Sequence, residues 1–146
     1  MKKISGKLFN VKVKIGREKN NGLVKDVREE YACRAVNFTD CEAKITKEIG
    51  SAENVKASFD ILAEAIAPYK EAYIFDETEE CHFYKVKVAE ITFDDYDEEK
   101  KSFVYFLVSA TSIDQARKNT EELYKETSID YSIAAIIETN ILDVFE

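Results

Sequence analysis

The chain has 146 residues, of which 45% are hydrophobic, and a formal net charge of −8 at pH 7. This length suffices for one well-buried core, and no apolar run approaches the roughly 20 residues that a membrane-spanning helix needs. The three cysteines, Cys33, Cys41 and Cys81, are odd in number and lack C-x-x-C spacing. Such cysteine usage favours a reduced cytosolic protein, and we expect Cys33 and Cys41 to be buried as small hydrophobic side chains without a metal.

Charge is distributed unevenly along the chain. Residues 1–75 carry 14 Lys and Arg against 11 Asp and Glu, a net charge of +3, whereas residues 76–146 carry 7 against 18, a net charge of −11. Much of the acid lies in two runs, at residues 76–80 and 94–99. Acidic runs are usually solvated loops. The alternatives are self-association of a basic half with an acidic half, or an acidic surface that repels nucleic acid from one side.

The first half is predicted to contain, in chain order, two strands, a helix and a third strand. From Phe9 to Ile15 apolar and polar residues alternate, which is the period of a half-buried strand. Asn20-Asn21-Gly22 predicts the hairpin turn into a return strand. Asn37 is placed to cap a helix that Gly50 ends, and residues 59–66 form the third strand.

The second half repeats this pattern. Val11-Lys12-Val13 recurs as Val86-Lys87-Val88, displaced by 75 residues, and the third strand recurs as residues 131–138 at an offset of 72. Ser112 occupies the capping position of the second helix. A repeat of this period indicates a duplicated supersecondary unit, each copy leaving an apolar face that the other covers.

We therefore predict an α+β protein made of tandem duplicated ββαβ repeats, residues 1–76 and 77–146. A hairpin followed by a helix and a third strand gives an open sheet with the helix on one face. Two copies most simply form one compact pseudo-two-fold domain, with a mainly antiparallel sheet of about six strands and two helices on one face. After Pro68 and its counterpart Asn140 the chain continues apolar, with no element assigned.

Three segments resemble a family of Bacteroidetes and phage proteins, the domain of unknown function 4494. They are the x-V-K-V pattern of the first strand, the N-F-T-D-C-E-A turn into the first helix and the ending I-E-T-N-I-L-D-V-F. The resemblance spans Leu8 to Phe145, although Leu8 and Phe83 stand where the family pattern has tryptophan. It implies a bacteriophage or bacterial origin and a cytoplasmic location in the bacterial host cell. It brings no catalytic residue to assign.

Catalytic constellations are scarce in the sequence. His82 is the only histidine, so a histidine-based metal site or a Ser-His-Asp arrangement has little to draw on. The four glycines are not clustered to cradle a phosphate, and the acidic run 94–99 lacks the spacing of an EF-hand loop. We expect a protein that is not an enzyme and that uses no cofactor and no metal.

The sheet face opposite the helices carries lysines, because these alternate with the core residues of the first strand of each half. Lysines interleaved with aromatic rings on an exposed sheet are what the binding of single-stranded nucleic acid needs, since cations track phosphates while rings stack on bases. The alternative is a solvated face whose lysines discourage association. The predicted site comprises Lys12, Lys14, Lys85, Lys87, Tyr31, Phe103 and Tyr105.

The sequence thus favours a non-enzymatic binding protein of phage or mobile-element origin that acts as a single-stranded nucleic-acid-binding accessory. One alternative is a module that sequesters a small molecule, a nucleotide or a host protein, built as a homodimer. Another is a structural or assembly protein. No membrane association is expected.

Overall fold

The structure is a computed structural model that describes residues 1–50, 55–75, 78 and 80–146, with the side chains of residues 55–58 not included. The described residues form nine strands and two α-helices. The strands are β1 (Lys2–Ser5), β2 (Leu8–Glu18), β3 (Val24–Arg34), β4 (Val55–Ile66), β5 (Tyr69–Ile74), β6 (His82–Phe93), β7 (Glu99–Ala110), β8 (Asp130–Glu138) and β9 (Ile141–Phe145). The helices are α1 (Phe38–Ile45), which continues into a π-helical turn at Thr46–Gly50, and α2 (Ile113–Tyr124). Neither helix is long and apolar enough to cross a membrane, among the residues described.

The strands form two sheets. One has five strands in the order β1-β5-β7-β6-β8, and the other has four in the order β4-β2-β3-β9. The α+β class is confirmed, but the prediction of a single sheet of about six strands is wrong. The reason lies in the segments after Pro68 and Asn140, which form β5 and β9 and complete two separate sheets.

The C-terminal strand of each half pairs with a strand of the other half. β5 follows β4 in the chain but pairs in parallel with β7, and β9 follows β8 but pairs in parallel with β3. The chain accordingly divides into a five-stranded unit, Met1–Ile4 with Pro68–Thr139, and a four-stranded unit, Ser5–Ala67 with Asn140–Glu146. This division differs from the boundary between residues 76 and 77 used for the sequence repeats. The pseudo-two-fold arrangement stays a prediction.

In the four-stranded unit, α1 packs on one face of the sheet. The alternating residues Phe9, Val11, Val13 and Ile15 of β2 are buried with Cys41 and Ile45 of α1 and Tyr31 and Cys33 of β3. Asn37 caps the helix as predicted, since its Oδ1 accepts the amide of Asp40 at 2.8 Å. The hairpin turn between β2 and β3 contains Gly22 with a φ of +79°.

The five-stranded unit repeats this arrangement with α2. Val86 and Val88 of β6 and Phe106 and Val108 of β7 are buried with Ala116 and Tyr124 of α2. The predicted cap of this helix is also observed, because Ser112 Oγ accepts the amide of Gln115 at 3.1 Å. The acidic residues 94–98 form the turn between β6 and β7, in which Asp94 Oδ1 accepts the amides of Tyr96 and Glu98. Asp76, Glu77 and Glu79 of the other acidic run lie outside the described residues.

The prediction that Cys33 and Cys41 are buried is confirmed. Both are fully buried and have free thiols. Burial raises the pKa of both thiols, that of Cys41 to about 12. Both side chains are therefore neutral at pH 7 and pack as small hydrophobic groups.

Candidate nucleic-acid interface

The face of the five-stranded sheet opposite α2 carries the second pair of predicted lysines. Val86 and Val88 point into the core beneath α2, and successive side chains of a strand alternate between faces. Lys85 and Lys87 therefore project from the opposite face. Across the antiparallel β6–β7 pair, Lys87 lies opposite Tyr105 and Lys85 lies opposite Leu107.

Both lysines lie over aromatic rings of β7. Lys85 Nζ is 4.8 Å from the ring centroid of Tyr105, and Lys87 Nζ is 4.3 Å from that of Phe103 and 6.0 Å from that of Tyr105. Among the described residues, neither lysine forms an ion pair. These four side chains, Lys85, Lys87, Phe103 and Tyr105, are termed the lysine–aromatic patch. The Phe103 side chain in it is 54% exposed.

Further side chains of this face were not named from the sequence. Lys101 lies opposite Ile91, on the same face as Phe103 and Tyr105. Phe93 and Ile137, at 60% and 58% exposure, also lie on this face. The alternation Lys101, Phe103, Tyr105 along β7 was the sequence signal that could have identified Lys101.

The first pair of predicted lysines lies on the corresponding face of the four-stranded sheet, in different surroundings. Lys12 Nζ is 3.6 Å from Glu30 Oε1, and Lys14 Nζ is 3.7 Å from Asp26 Oδ2. Glu30 lies opposite Lys12 in the β2–β3 pair, the place that Tyr105 takes opposite Lys87 in the other unit. Lys12 and Lys14 are therefore neutralised by carboxylates, and no aromatic residue lies opposite them in the β2–β3 register.

The prediction that Tyr31 belongs to the exposed face is wrong. Tyr31 lies opposite Val11 in the β2–β3 pair and is 5% exposed, in the core beneath α1. Its ring packs against Phe145 at a centroid distance of 5.3 Å, and its hydroxyl donates a hydrogen bond to Glu29 Oε2. Burial and the neighbouring Glu29 carboxylate raise the pKa of this phenol. Tyr31 is unable to stack on a base there.

His82 is exposed, with its Nδ1 3.5 Å from Glu138 Oε1. This solvated position matches the interpretation of His82 as a surface residue at the start of a strand.

The four-stranded unit contains a cleft of about 610 Å³ on the face of Lys12. A volume of this size lies within the range of small-molecule sites. Two leucines, Leu62 and Leu142, form its apolar walls, and both are about half exposed. Its polar lining consists of Lys12, Arg28, Glu29, Glu30 and Asn140.

The units differ in net charge. The five-stranded unit has 10 basic and 17 acidic side chains, a net charge of −7, and the four-stranded unit has 11 and 12, a net charge of −1. The contrast between a basic and an acidic half of the sequence is therefore much reduced in the folded units. The lysine–aromatic patch lies in the more acidic of them.

The fold is thus a mixed α+β one, with two sheets that each carry one helix. Its candidate site is a partly exposed sheet face, on which Phe103 is exposed while Leu107, opposite Lys85, is fully buried. A family model described as domain of unknown function (DUF4494) matches residues 7–146, so the chain belongs to that family. This match confirms the resemblance drawn from the sequence motifs. No significant match was found among curated proteins or among solved structures.

Proposed function

We propose that this chain is a non-enzymatic binding protein of phage or mobile-element origin that binds single-stranded nucleic acid through the lysine–aromatic patch. The observation that carries the proposal is the arrangement of Lys85 and Lys87 over the rings of Phe103 and Tyr105 on a partly exposed sheet face. Proteins that bind single strands combine cations for the phosphates with aromatic rings on which bases stack.

The patch is suited to a flexible strand because its lysines are not held by carboxylates. A lysine ammonium over an exposed ring gains only about 0.5–1 kcal/mol, so it can turn towards a phosphate at small cost. Turning also uncovers the ring of Phe103, which is already about half exposed. By contrast, Lys12 and Lys14 would first have to leave Glu30 and Asp26.

Charge limits the expected affinity. The five-stranded unit carries a net charge of −7, so phosphates are attracted only where Lys85, Lys87 and Lys101 dominate locally. Neutralising two phosphates of a single strand gives a log–log salt slope of about −1.4. We expect weak, salt-dependent binding of single strands. We expect little binding of duplexes, because a rigid double-stranded backbone would place more phosphates near the acidic turn at residues 94–98.

The test is fluorescence anisotropy with a labelled single-stranded oligonucleotide at low and moderate salt. Lys85→Glu with Lys87→Glu should abolish binding, and Phe103→Ala should weaken it by about 1–3 kcal/mol if a base stacks there. The matched control is Lys12→Glu with Lys14→Glu, on the corresponding face of the other sheet, which should leave binding nearly unchanged. Melting temperatures of all variants exclude unfolding as the cause.

Two results would contradict the proposal. One is the absence of any anisotropy change with micromolar wild-type protein at low salt. The other is an equal loss of binding in both lysine variants, since net charge alone would then explain it.

A small-molecule binding role is the second candidate, and the cleft lined by Arg28, Leu62 and Leu142 favours it. Arg28 and the two leucine walls suit a small molecule with one anionic group and an apolar part, such as a nucleotide, whereas Lys12 is paired with Glu30. A thermal-shift screen of nucleotides would test this role, with Arg28→Ala as the variant that should lose the shift. The host-protein-sequestering and structural roles stay alternatives.

We also propose that the chain arose by tandem duplication of a ββαβ unit. The strand orders β4-β2-β3-β9 and β8-β6-β7-β5 correspond element by element. Bulges occur at corresponding places, at Leu62 in β4 and at Ala134 in β8. Independent origins would not be expected to give the same bulge, because each bulge is a local irregularity of one strand.

A further inference from the structure

The two sheets have four edge strands, and three of them have features that discourage pairing with another strand. An edge strand has unpaired backbone N–H and C=O groups that can pair with another strand. Proteins prevent this pairing by keeping edge strands short or by placing charged side chains on them. β1 is 4 residues long with two lysines, and β9 is 5 residues long with Asp143 in it. The remaining edges, β4 and β8, have 12 and 9 residues.

β4 is protected by carboxylates. Asp60 lies opposite Lys14, and Glu64 lies opposite the buried Val11, so Glu64 points towards the core. One oxygen of Glu64, Oε2, is buried without a hydrogen-bond partner among the described residues. An inward-pointing charge of this kind has a cost in stability, and it is a recognised means of preventing edge-to-edge association.

β8 lacks these carboxylates at the corresponding positions. The position of Asp60 in β4 is taken by Ser132 in β8, which lies opposite Ala89. The position of Glu64 is taken by Ile136, which lies opposite Val86. Residues 131–137 contain no charged side chain and no proline. Ala134 and Ile137 are exposed, and no described residue pairs with the free edge of β8. The bulge at Ala134 does not distinguish the two edges, because β4 has one at Leu62.

We propose that β8 is the surface through which two copies of this chain associate, by antiparallel pairing of β8 with β8 of the second copy. The free backbone groups of a strand edge require another strand as their partner. Antiparallel pairing of residues 131–137 with the same residues of the second copy brings no like charges together, and the carboxylates of Asp130 and Glu138 lie only at the two ends of the strand. Two-fold symmetric dimers of this kind are the commonest homo-oligomers. The pairing joins two five-stranded sheets into a continuous sheet of ten strands.

The test is sedimentation equilibrium of the full-length protein over a range of concentrations. Wild-type protein, of 16.7 kDa per chain, should sediment as a dimer of roughly twice that mass. Ala134→Lys places two lysines in the paired region and should weaken the dimer by about tenfold or more. Leu62→Lys, at the corresponding bulge of β4, is the matched control and should leave the dimer unchanged.

Hydrogen exchange provides a second readout. Those amides of residues 131–138 that point away from β6 should be protected in the wild-type dimer and exchange faster in Ala134→Lys, while the amides of β6 stay protected in both. If circular dichroism shows that Ala134→Lys is unfolded, Ser132→Asp, which copies Asp60 of β4, takes its place. A wild-type protein that stays monomeric at about 100 µM would overturn the proposal. So would open-ended aggregates, or a dimer that Leu62→Lys disrupts as much as Ala134→Lys. None of these results depends on nucleic-acid binding.

Discussion

Two glutamates of the four-stranded sheet have pKa values shifted in opposite directions. Burial acts to raise the pKa of Glu29, but hydrogen bonds from Arg17 and Tyr31 outweigh it and lower the pKa. The Arg17 guanidinium donates two of these bonds, at 3.0 and 2.9 Å. Burial and the neighbouring Glu42 carboxylate raise the pKa of Glu64 to about 7. The difference arises from the partners, because Glu29 accepts hydrogen bonds from Arg17 and Tyr31, whereas Glu64 lies beside the carboxylate of Glu42.

Glu64→Gln should stabilise the protein at high pH and have little effect at low pH. The folded-state pKa lies above the ordinary value of 4.5, so the folded protein binds more protons than the unfolded chain between these values. Stability therefore falls as the pH rises from about 4.5 through about 7, and an amide removes this loss. Urea denaturation at pH 5 and pH 8 measures the effect of Glu64→Gln on the free energy of unfolding. The control is Glu121→Gln, at an exposed glutamate of α2. An equal effect of Glu64→Gln at both pH values would contradict the raised pKa of Glu64.

Glu29→Gln should destabilise the protein by about 1–3 kcal/mol at pH 7, because Arg17 and Tyr31 then lose a charged acceptor. Since the folded-state pKa is lowered, this stabilisation is present above the ordinary pKa and is lost as the pH falls through the folded value. The difference between wild type and variant should therefore disappear at low pH. The control is Glu30→Gln, next in the chain, whose partly exposed pair with Lys12 should be worth under about 1 kcal/mol. Equal losses in both variants would show that the Arg17 network has no special role.

At the scale of single elements, the sequence predicted local features and missed those that depend on register. The alternation of Phe9 to Ile15 and the caps Asn37 and Ser112 were predicted correctly because strand period and capping are local properties. Tyr31 was assigned to the wrong face because β3 carries charged residues on both faces. Val27 and Cys33 share its odd positions along β3, and this pattern would have placed Tyr31 in the core.

The candidate site was predictable only in part for the same reason. Lys85 and Lys87 followed from the alternation in β6, and their proximity to Phe103 and Tyr105 required the β6–β7 register. The pairing of Lys12 with Glu30 likewise depends on the β2–β3 register. Two lysine pairs that look equivalent in sequence are therefore different in chemistry.

Asn37→Ala and Ser112→Ala should each destabilise their own unit by about 1 kcal/mol, because each removes a side chain that accepts a first-turn amide of a helix. Thr39→Ala, an exposed change inside the first turn of α1, should cost little or slightly stabilise, since alanine favours helix. Thermal unfolding of the three variants measures the differences. A Thr39→Ala loss as large as that of Asn37→Ala would contradict capping as the cause.

At the scale of the whole chain, each sheet is completed by a strand from the other half of the sequence. β5 and β9 are 6 and 5 residues long, and neither shows a sustained alternation. Their parallel pairing with β7 and β3 joins residues more than 30 positions apart in one case and more than 100 in the other. Non-local pairing of this kind leaves no local pattern in a sequence, so the two-sheet arrangement could not be predicted.

Because β5 and β9 each pair with a strand from the other half of the sequence, we expect neither half to fold alone. A fragment of residues 1–76 lacks β9, and a fragment of residues 77–146 lacks β1 and β5, so each misses strands of its own sheet. The first leaves Tyr31 without Phe145, and the second leaves Phe106 without Tyr73. We expect each fragment alone to be largely unfolded and the mixture of the two to regain structure, because each supplies the strand that the other needs. Circular dichroism and urea unfolding of the separate and mixed fragments measure this.

The matched control is a fragment of residues 68–139, which is of similar length but keeps β5, β6, β7, α2 and β8 together. It retains the buried cluster of Tyr73, Phe106 and Tyr124, and it should therefore unfold cooperatively where residues 77–146 do not. A cooperative transition in isolated 77–146, equal to that of 68–139, would mean that β5 contributes little to the unit. Stable folding of the isolated fragment 1–76 would show the same for β9. Recovery of structure on mixing, with neither fragment folded alone, requires that both exchanged strands stabilise the sheets that they join.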